Sequence, residues 1–197
     1  MFHELAHGFV AWQLGDNTAK QAGRLTFNPI AHLDIMGVLC MVIAGVGWAK
    51  PVPVNPSNFR MKNRKVGMAI TAFAGPLANI LLSFLLLFIA VGLLNFAPQT
   101  AIISALSTFM IITARLSVGL GVFNLIPIPP LDGSKILQII VPNRYVYKMY
   151  QYEPYFQAGL LILIFLGALD GVLLSAQSVV MNGILSAIQS IYGLWIG

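Results

Sequence analysis

"VGMAITAFAGPLANILLSFLLLFIAVGLLNFAPQTAIISALSTFMIITA", residues 66–114, contains no charged side chain. At about 1.5 Å of rise per residue, this run is long enough for two helical crossings of a hydrocarbon core about 30 Å thick. The uncharged break Pro98-Gln99-Thr100 divides it into a first span over Val66–Ala97 and a second over Ala101–Phe123. Composition agrees: of 197 residues 58% are hydrophobic and 9% charged, with a mean hydropathy of +0.83. A soluble domain carries about 25% charged residues, so the chain reads as an all-α polytopic membrane protein, a helical bundle. Inside the first span, Gly75-Pro76 frees a backbone carbonyl and predicts an interruption with a kink. Asn79 follows one turn later, where a polar amide must bond a neighbouring helix or line a cavity.

Downstream, the second span breaks at "FNLIPIPPLDGSKIL", residues 123–137. Pro127, Pro129 and Pro130 forbid regular helix there, and Gly133 permits a tight turn. Asp132 sits in this apolar break, where an isolated carboxylate is costly but one coordinating a metal is satisfied. Upstream, the chain opens with "HELAH", residues 3–7. His3 and His7 are four residues apart, point the same way from one helix, and can share an ion. Glu4 lies about 100° around that helix and can reach a water bound to the metal, the arrangement of two ligands and a general base found in metalloproteases. His3, His7 and Asp132 thus form a candidate set of metal ligands, with Zn²⁺ as the expected ion. Cys40 is the single cysteine, which excludes an intrachain disulfide and a site of several thiolates.

The net charge is +5, and the basic residues are bunched: Arg60, Lys62, Arg64 and Lys65 in one segment, Lys135, Arg144 and Lys148 in another. In a chain this apolar, the pattern marks cytoplasmic loops under the positive-inside rule and not a nucleic-acid surface. Two crossings from the first basic cluster return the chain to the same side near Lys135. The three candidate ligands can then meet just inside the cytoplasmic leaflet.

Other segments are less decisive. Phe2–Gly15 is helical in pattern but reaches only about 21 Å, short of a crossing; it reads as a helix cut or mis-started at Met1, or completed by a partner. Asn17–Leu33 is mixed and polar, fitting short strands or a surface loop, and His32 within it reads as an ordinary polar residue. Ile35–Trp48 is apolar, glycine-rich and too short to cross, as expected of a re-entrant or interfacial segment. Residues 50–56, K-P-V-P-V-N-P, are extended because each residue before a proline is pushed out of the α region; they form a loop or a strand-like edge able to pair with an unwound peptide. Arg115 lies deep in the second span with Asp170 as a candidate partner, although Asp170-Gly171 also suits a turn. Residues 172–197 form a final, weakly polar helix.

H-E-L-A-H at 3–7 together with N-L-I-P-I-P-P-L-D-G at 124–133 resembles the site-2 protease family of intramembrane zinc metalloproteases. A-G-P-L-A-N at 74–79 is similar to that family's middle-helix motif, and W-A-K-P-V-P-V-N at 48–55 resembles a subgroup of bacterial members. The resemblance implies a catalytic Zn²⁺ held by His3, His7 and Asp132, with Glu4 as general base and Asn124 holding the substrate carbonyl or its oxyanion. It implies one membrane-embedded metalloprotease domain over residues 1–197, lacking the helix that the family carries upstream of H-E-x-x-H. The expected partners are a membrane-protein substrate helix and the lipid bilayer, and the expected location is the inner or plasma membrane, with the active site near the cytoplasmic side. The competing readings are an inactive scaffold that binds partner helices and a metal transporter. A transporter would need ligands stepping across the bilayer, and residues 66–114 hold no His, Asp or Glu.

Overall fold

The computed structural model describes residues 1–45, 47, 49–98 and 100–196. Trp48, which opens the proline-rich motif, and Gln99 of the connection between spans lie outside the described residues. Among those described, nine α-helices follow one another: α1 (Phe2–Gln13), α2 (Thr18–Gln21), α3 (Ile35–Ala44), α4 (Arg64–Phe96), α5 (Ala101–Asn124), α6 (Asp132–Leu137), α7 (Asn143–Gln151), α8 (Glu153–Phe165) and α9 (Asp170–Ile196). α4, α5 and α9 are long and apolar enough to cross a membrane.

α4 begins two residues before the uncharged run because the Asn63 side chain caps it, accepting from the amides of Lys65 (3.1 Å) and Val66 (3.4 Å). Thr100 caps α5 in the same way through the Ile103 amide. Contrary to the expected interruption, α4 continues as one helix through Gly75-Pro76. Neighbours on two sides hold it: α1 packs on one face and α5 on another. Small residues allow the approach, since a Cβ on Gly121 would lie 3.2 Å from the Pro76 carbonyl oxygen and 3.3 Å from Asn79 Cβ. Ser83 and Ser117 both donate hydroxyl hydrogens to the Asn79 carbonyl, at 2.7 and 3.0 Å, and so stitch α4 to α5 at that level. Further along, Leu87, Ala114, Val118, Met181, Ile184 and Ile188 form the apolar core shared with α9.

Among the described residues between α1 and α4, β character is limited to a bridge between Leu33 and Ala49, and residues 50–55 run extended without a ladder. α3 is capped by Asp34 and ends at Gly45, whose φ of 72° is the left-handed conformation that favours glycine. Its Ile35, Val42 and Ile43 side chains are exposed, which suits a helix lying in lipid. Two sequence expectations change. His32 is buried, its Nε2 paired with the Thr26 carbonyl oxygen at 2.9 Å, so it belongs to the loop's interior. Arg115 and Asp170 form no ion pair: Arg115 is exposed on α5, while Asp170 opens α9 after the turn at 166–169.

Candidate metal centre

The site is built from α1, the start of α6 and one face of α4. His3 and His7 stand one above the other, with ring centroids 4.5 Å apart. Both turn toward Asp132, the first residue of α6: His3 Nε2 lies 3.0 Å and His7 Nε2 3.1 Å from Asp132 Oδ2. The candidate ligand atoms of all three residues fall within 4.8 Å of one another. Residues that are 129 positions apart in the chain are therefore brought together.

Asp132 reaches this position because the chain after α5 packs tightly on itself. A Cβ on Gly133 would lie 2.2 Å from the Leu125 carbonyl oxygen and 2.5 Å from that of Ile126, so only glycine lets α6 start there. Lys135 donates to Asp132 Oδ1 at 3.2 Å, which leaves Oδ2 for the histidines. Burial works against ionisation of this carboxyl, but hydrogen bonds from His3 and His7 and the charges of His7 and Lys135 outweigh it and hold Asp132 well below the usual carboxylate range.

α4 supplies the wall behind the histidines. Thr71, Gly75 and Asn79 recur every four residues and so share one face. His7 Nδ1 donates to the Thr71 carbonyl at 2.7 Å, so that in the neutral ring Nε2 is the nitrogen left to bind a cation. The Asn79 amide lies 3.2 Å from His3 Nδ1. Between them, Gly75 has no side chain where both rings pass: a Cβ there would be 2.4 Å from His7 Cε1 and Nε2 and 2.7 Å from His3 Cε1.

The donor set suits Zn²⁺. Two imidazole nitrogens and one carboxylate oxygen at about 2.0–2.1 Å from a tetrahedral ion would be about 3.3 Å apart. The observed 3.0 and 3.1 Å from the histidines to Asp132 are within a few tenths of an ångström of that separation, and all three ligand atoms lie within 4.8 Å of one another; three protein ligands would leave a fourth position for water.

Along α1, beside Glu4 and Gly8, runs the extended segment. Glu4 Oε2 accepts from the Val52 amide at 3.2 Å, so the candidate base is tied to a strap of chain and not to a helix. At its far end the strap is held by Asp16, just past α1: Oδ2 accepts from the Asn55 amide at 2.6 Å, and Oδ1 accepts from Asn58 Nδ2 at 2.8 Å. Asp16 is fully buried. Burial would raise its pKa, but hydrogen bonds from Thr18, Asn55 and Asn58 prevail and lower it from the ordinary value. Asn124 closes α5, where its amide donates to the Leu120 carbonyl at 2.9 Å and makes no hydrogen bond to His3, His7 or Asp132.

Thr71, Gly75 and Asp16 carry no sequence signature of their own. The first acts through its backbone, the second through an absent side chain, and the third looks like a turn residue. Lys135 is legible only as part of a basic cluster, although its spacing of three from Asp132 is a helical pairing signal.

The model of peptidase family M50 matches residues 1–166. Over 155 residues the chain is 43% identical to the Bacillus subtilis (strain 168) protein named "Putative zinc metalloprotease YwhC", a match covering 78% of this chain and 70% of that one. It is 31% identical over 141 residues to "Putative zinc metalloprotease Rip2" of Mycolicibacterium smegmatis and 32% identical to the protein of that name in Mycobacterium tuberculosis. These two matches cover 69% of this chain but only 51% of each relative, so the chain spans about half their length. No solved structure matches the chain. With the family match and three membrane-crossing helices together, the chain belongs to peptidase family M50, the site-2 proteases, and is a multi-pass membrane protein of metalloprotease type.

Proposed function

We propose that this chain hydrolyses peptide bonds within membrane-spanning segments of anchored proteins, at a zinc site formed by His3, His7 and Asp132 with Glu4 as general base. The observation that carries the reading is the meeting of three ligand atoms within 4.8 Å, with Glu4 next to His3 in the same helical turn. A zinc ion held there supplies Lewis acidity toward the scissile carbonyl and lowers the pKa of water. Glu4 accepts the proton of the attacking water and returns it to the departing amine. Asn124 donates to the developing oxyanion once its amide leaves Leu120. A substrate helix must first unwind, since its carbonyls are hydrogen-bonded and covered; the extended strap beside Glu4 gives an unwound segment something to align with.

The domain, on this reading, is a single membrane-embedded unit over residues 1–197. The bunching of basic residues supports a position of its active site near the cytoplasmic face of the plasma membrane. Lys65 Nζ donates to the Val141 carbonyl at 2.7 Å, so the two basic segments lie at one end of the molecule.

The test is Glu4→Gln in the purified chain, with zinc content measured beside cleavage of a membrane-spanning substrate. Cleavage falls by at least about 10²-fold, the lower end for loss of a general base, while zinc stays bound. Equal cleavage by the variant removes Glu4 from the mechanism.

A further inference from the structure

The contact between Asn79 and His3 carries an inference about the metal centre that rests on the ligand reading above. Asn79 is buried, 5% exposed, on the face of α4 that also presents Thr71 and Gly75. Its backbone is fixed from two sides by Ser83 and Ser117, whose hydroxyls share its carbonyl oxygen. An amide held so firmly beside one nitrogen of a candidate ligand can decide which nitrogen of that ring bears the proton.

The chemistry fixes the direction. His3 faces Asp132 through Nε2, so Nε2 is the atom it offers to a cation and must then be unprotonated. A neutral imidazole in that role carries its proton on Nδ1, where it needs an acceptor. The atom nearest His3 Nδ1 is Asn79 Nδ2, a donor, at 3.2 Å. That orientation matches the other tautomer, with the ring proton on Nε2 directed at Asp132. Rotating the amide by 180° places Oδ1 where Nδ2 stands and reverses the hydrogen bond without moving either backbone; amide oxygen and nitrogen are nearly the same size.

We infer that Asn79 is a positioning residue of the metal centre, whose side-chain oxygen accepts the Nδ1 proton of His3 and thereby commits His3 Nε2 to the metal. α4 then serves both histidines by one device at two levels, a backbone carbonyl at Thr71 for His7 and a side-chain carbonyl at Asn79 for His3. Gly75 lies between them, where the rings need room.

The experiment measures zinc affinity by chelator competition on the full chain in detergent, for the parent, Asn79→Leu, Asn79→Asp and His3→Ala. ¹⁵N-histidine spectra report which ring nitrogen is protonated. Leu preserves the shape but offers no acceptor, and the expected loss of zinc affinity is about 10- to 100-fold. Asp offers only acceptors and retains parental affinity or exceeds it, with the His3 proton still on Nδ1. Affinity lost equally in the Asp and Leu variants overturns the acceptor role, since it makes the amide a donor or a packing element. Parental affinity in the Leu variant overturns the positioning role altogether. If His3→Ala binds zinc as tightly as the parent, or the parent binds none, the ligand reading fails and this inference with it; those two results differ from every outcome in which Asn79 alone is wrong.

Discussion

The two sides of the candidate metal centre are built on different principles. On the α4 side, close packing fixes the histidines: a carbonyl at Thr71, an amide at Asn79, and a glycine where any side chain would strike both rings. On the other side, an extended strap of alternating prolines and valines is moored by the Val52 amide on Glu4 and by the Asn55 amide and Asn58 side chain on Asp16. Prolines at 51, 53 and 56 have no amide to donate, so the strap hangs on few hydrogen bonds. One wall holds the candidate ligands in place; the other is tied loosely enough to be displaced.

The sharpest way to break this contrast is Gly75→Ala. The new methyl would lie 2.4 Å from His7 and 2.7 Å from His3, and neither ring can move aside without leaving Asp132. Zinc affinity is expected to fall on the order of 100-fold or more, as for severe disruption around a ligand, although alanine favours helix over glycine by about 1 kcal/mol. A rise in thermal stability with loss of zinc would show that the glycine serves the site and not the helix. Retention of zinc at parental affinity would mean that the wall is as pliable as the strap.

A smaller effect is expected from Asp16→Asn, which attacks the strap. The carboxylate accepts hydrogen bonds from Thr18, Asn55 and Asn58; an amide oxygen can replace only some of them. Hydrogen bonds to a charged group contribute about 1.5–3 kcal/mol each, so the strap should open to limited proteolysis while zinc affinity stays near the parental value. The pH dependence follows from the direction of the shift. Because the folded pKa lies below the ordinary 3.8, the stabilisation by Asp16 is fully present above that value and is lost as pH falls through the lower, folded one. The difference in melting temperature between parent and Asp16→Asn should therefore be constant from pH 5 to 8 and shrink below about pH 4. A difference that changes between pH 6 and 8 would assign the tether to another group.

Sequence periodicity reaches one wall of the site further than the other. His3 and His7 are legible because a spacing of four is a geometric statement about a helix, and Asp132 because a carboxylate in an apolar break demands a partner. The spans are legible because lipid excludes charge. Asn79 shows the limit: its depth in a span demands a partner, but which one depends on where α1 docks, a tertiary fact. Thr71 contributes only a carbonyl, which every residue possesses. The Gly75-Pro76 pair suggests an interruption, yet α1 and α5 pack against α4 and it runs on as one helix. Arg115 and Asp170 fail as a pair because residue depth gives no azimuth: Arg115 lies on the exposed face of α5, while Asp170 begins the next helix. The proline pattern of the strap fits a plain loop or an edge strand equally well; its moorings are amides meeting carboxylates 39 and 48 positions away.

The finest test of the contrast compares Gly75 with Gly8, the glycine of α1 that faces the strap side. A Cβ on Gly8 would lie 2.7 Å from Leu25 Cδ2 and 3.0 Å from Val52 Cγ1, distances as forbidding on paper as some of those at Gly75. What differs is the neighbour. Leu25 and Val52 present the ends of side chains, one of them on a segment held by few hydrogen bonds, whereas Gly75 meets imidazoles fixed at both nitrogens. Gly8→Ala should therefore cost about 1–3 kcal/mol for overpacking, partly offset by the helix preference of alanine of about 1 kcal/mol. The net change in stability should be small and zinc affinity within about threefold, that is about 0.7 kcal/mol. The Val52 amide should separate from Glu4 as the strap shifts, seen as faster hydrogen exchange at Val52 than in the parent. If Gly8→Ala instead loses zinc as severely as Gly75→Ala, the strap is a rigid part of the ligand cage, and substrate access has to come from somewhere other than its displacement.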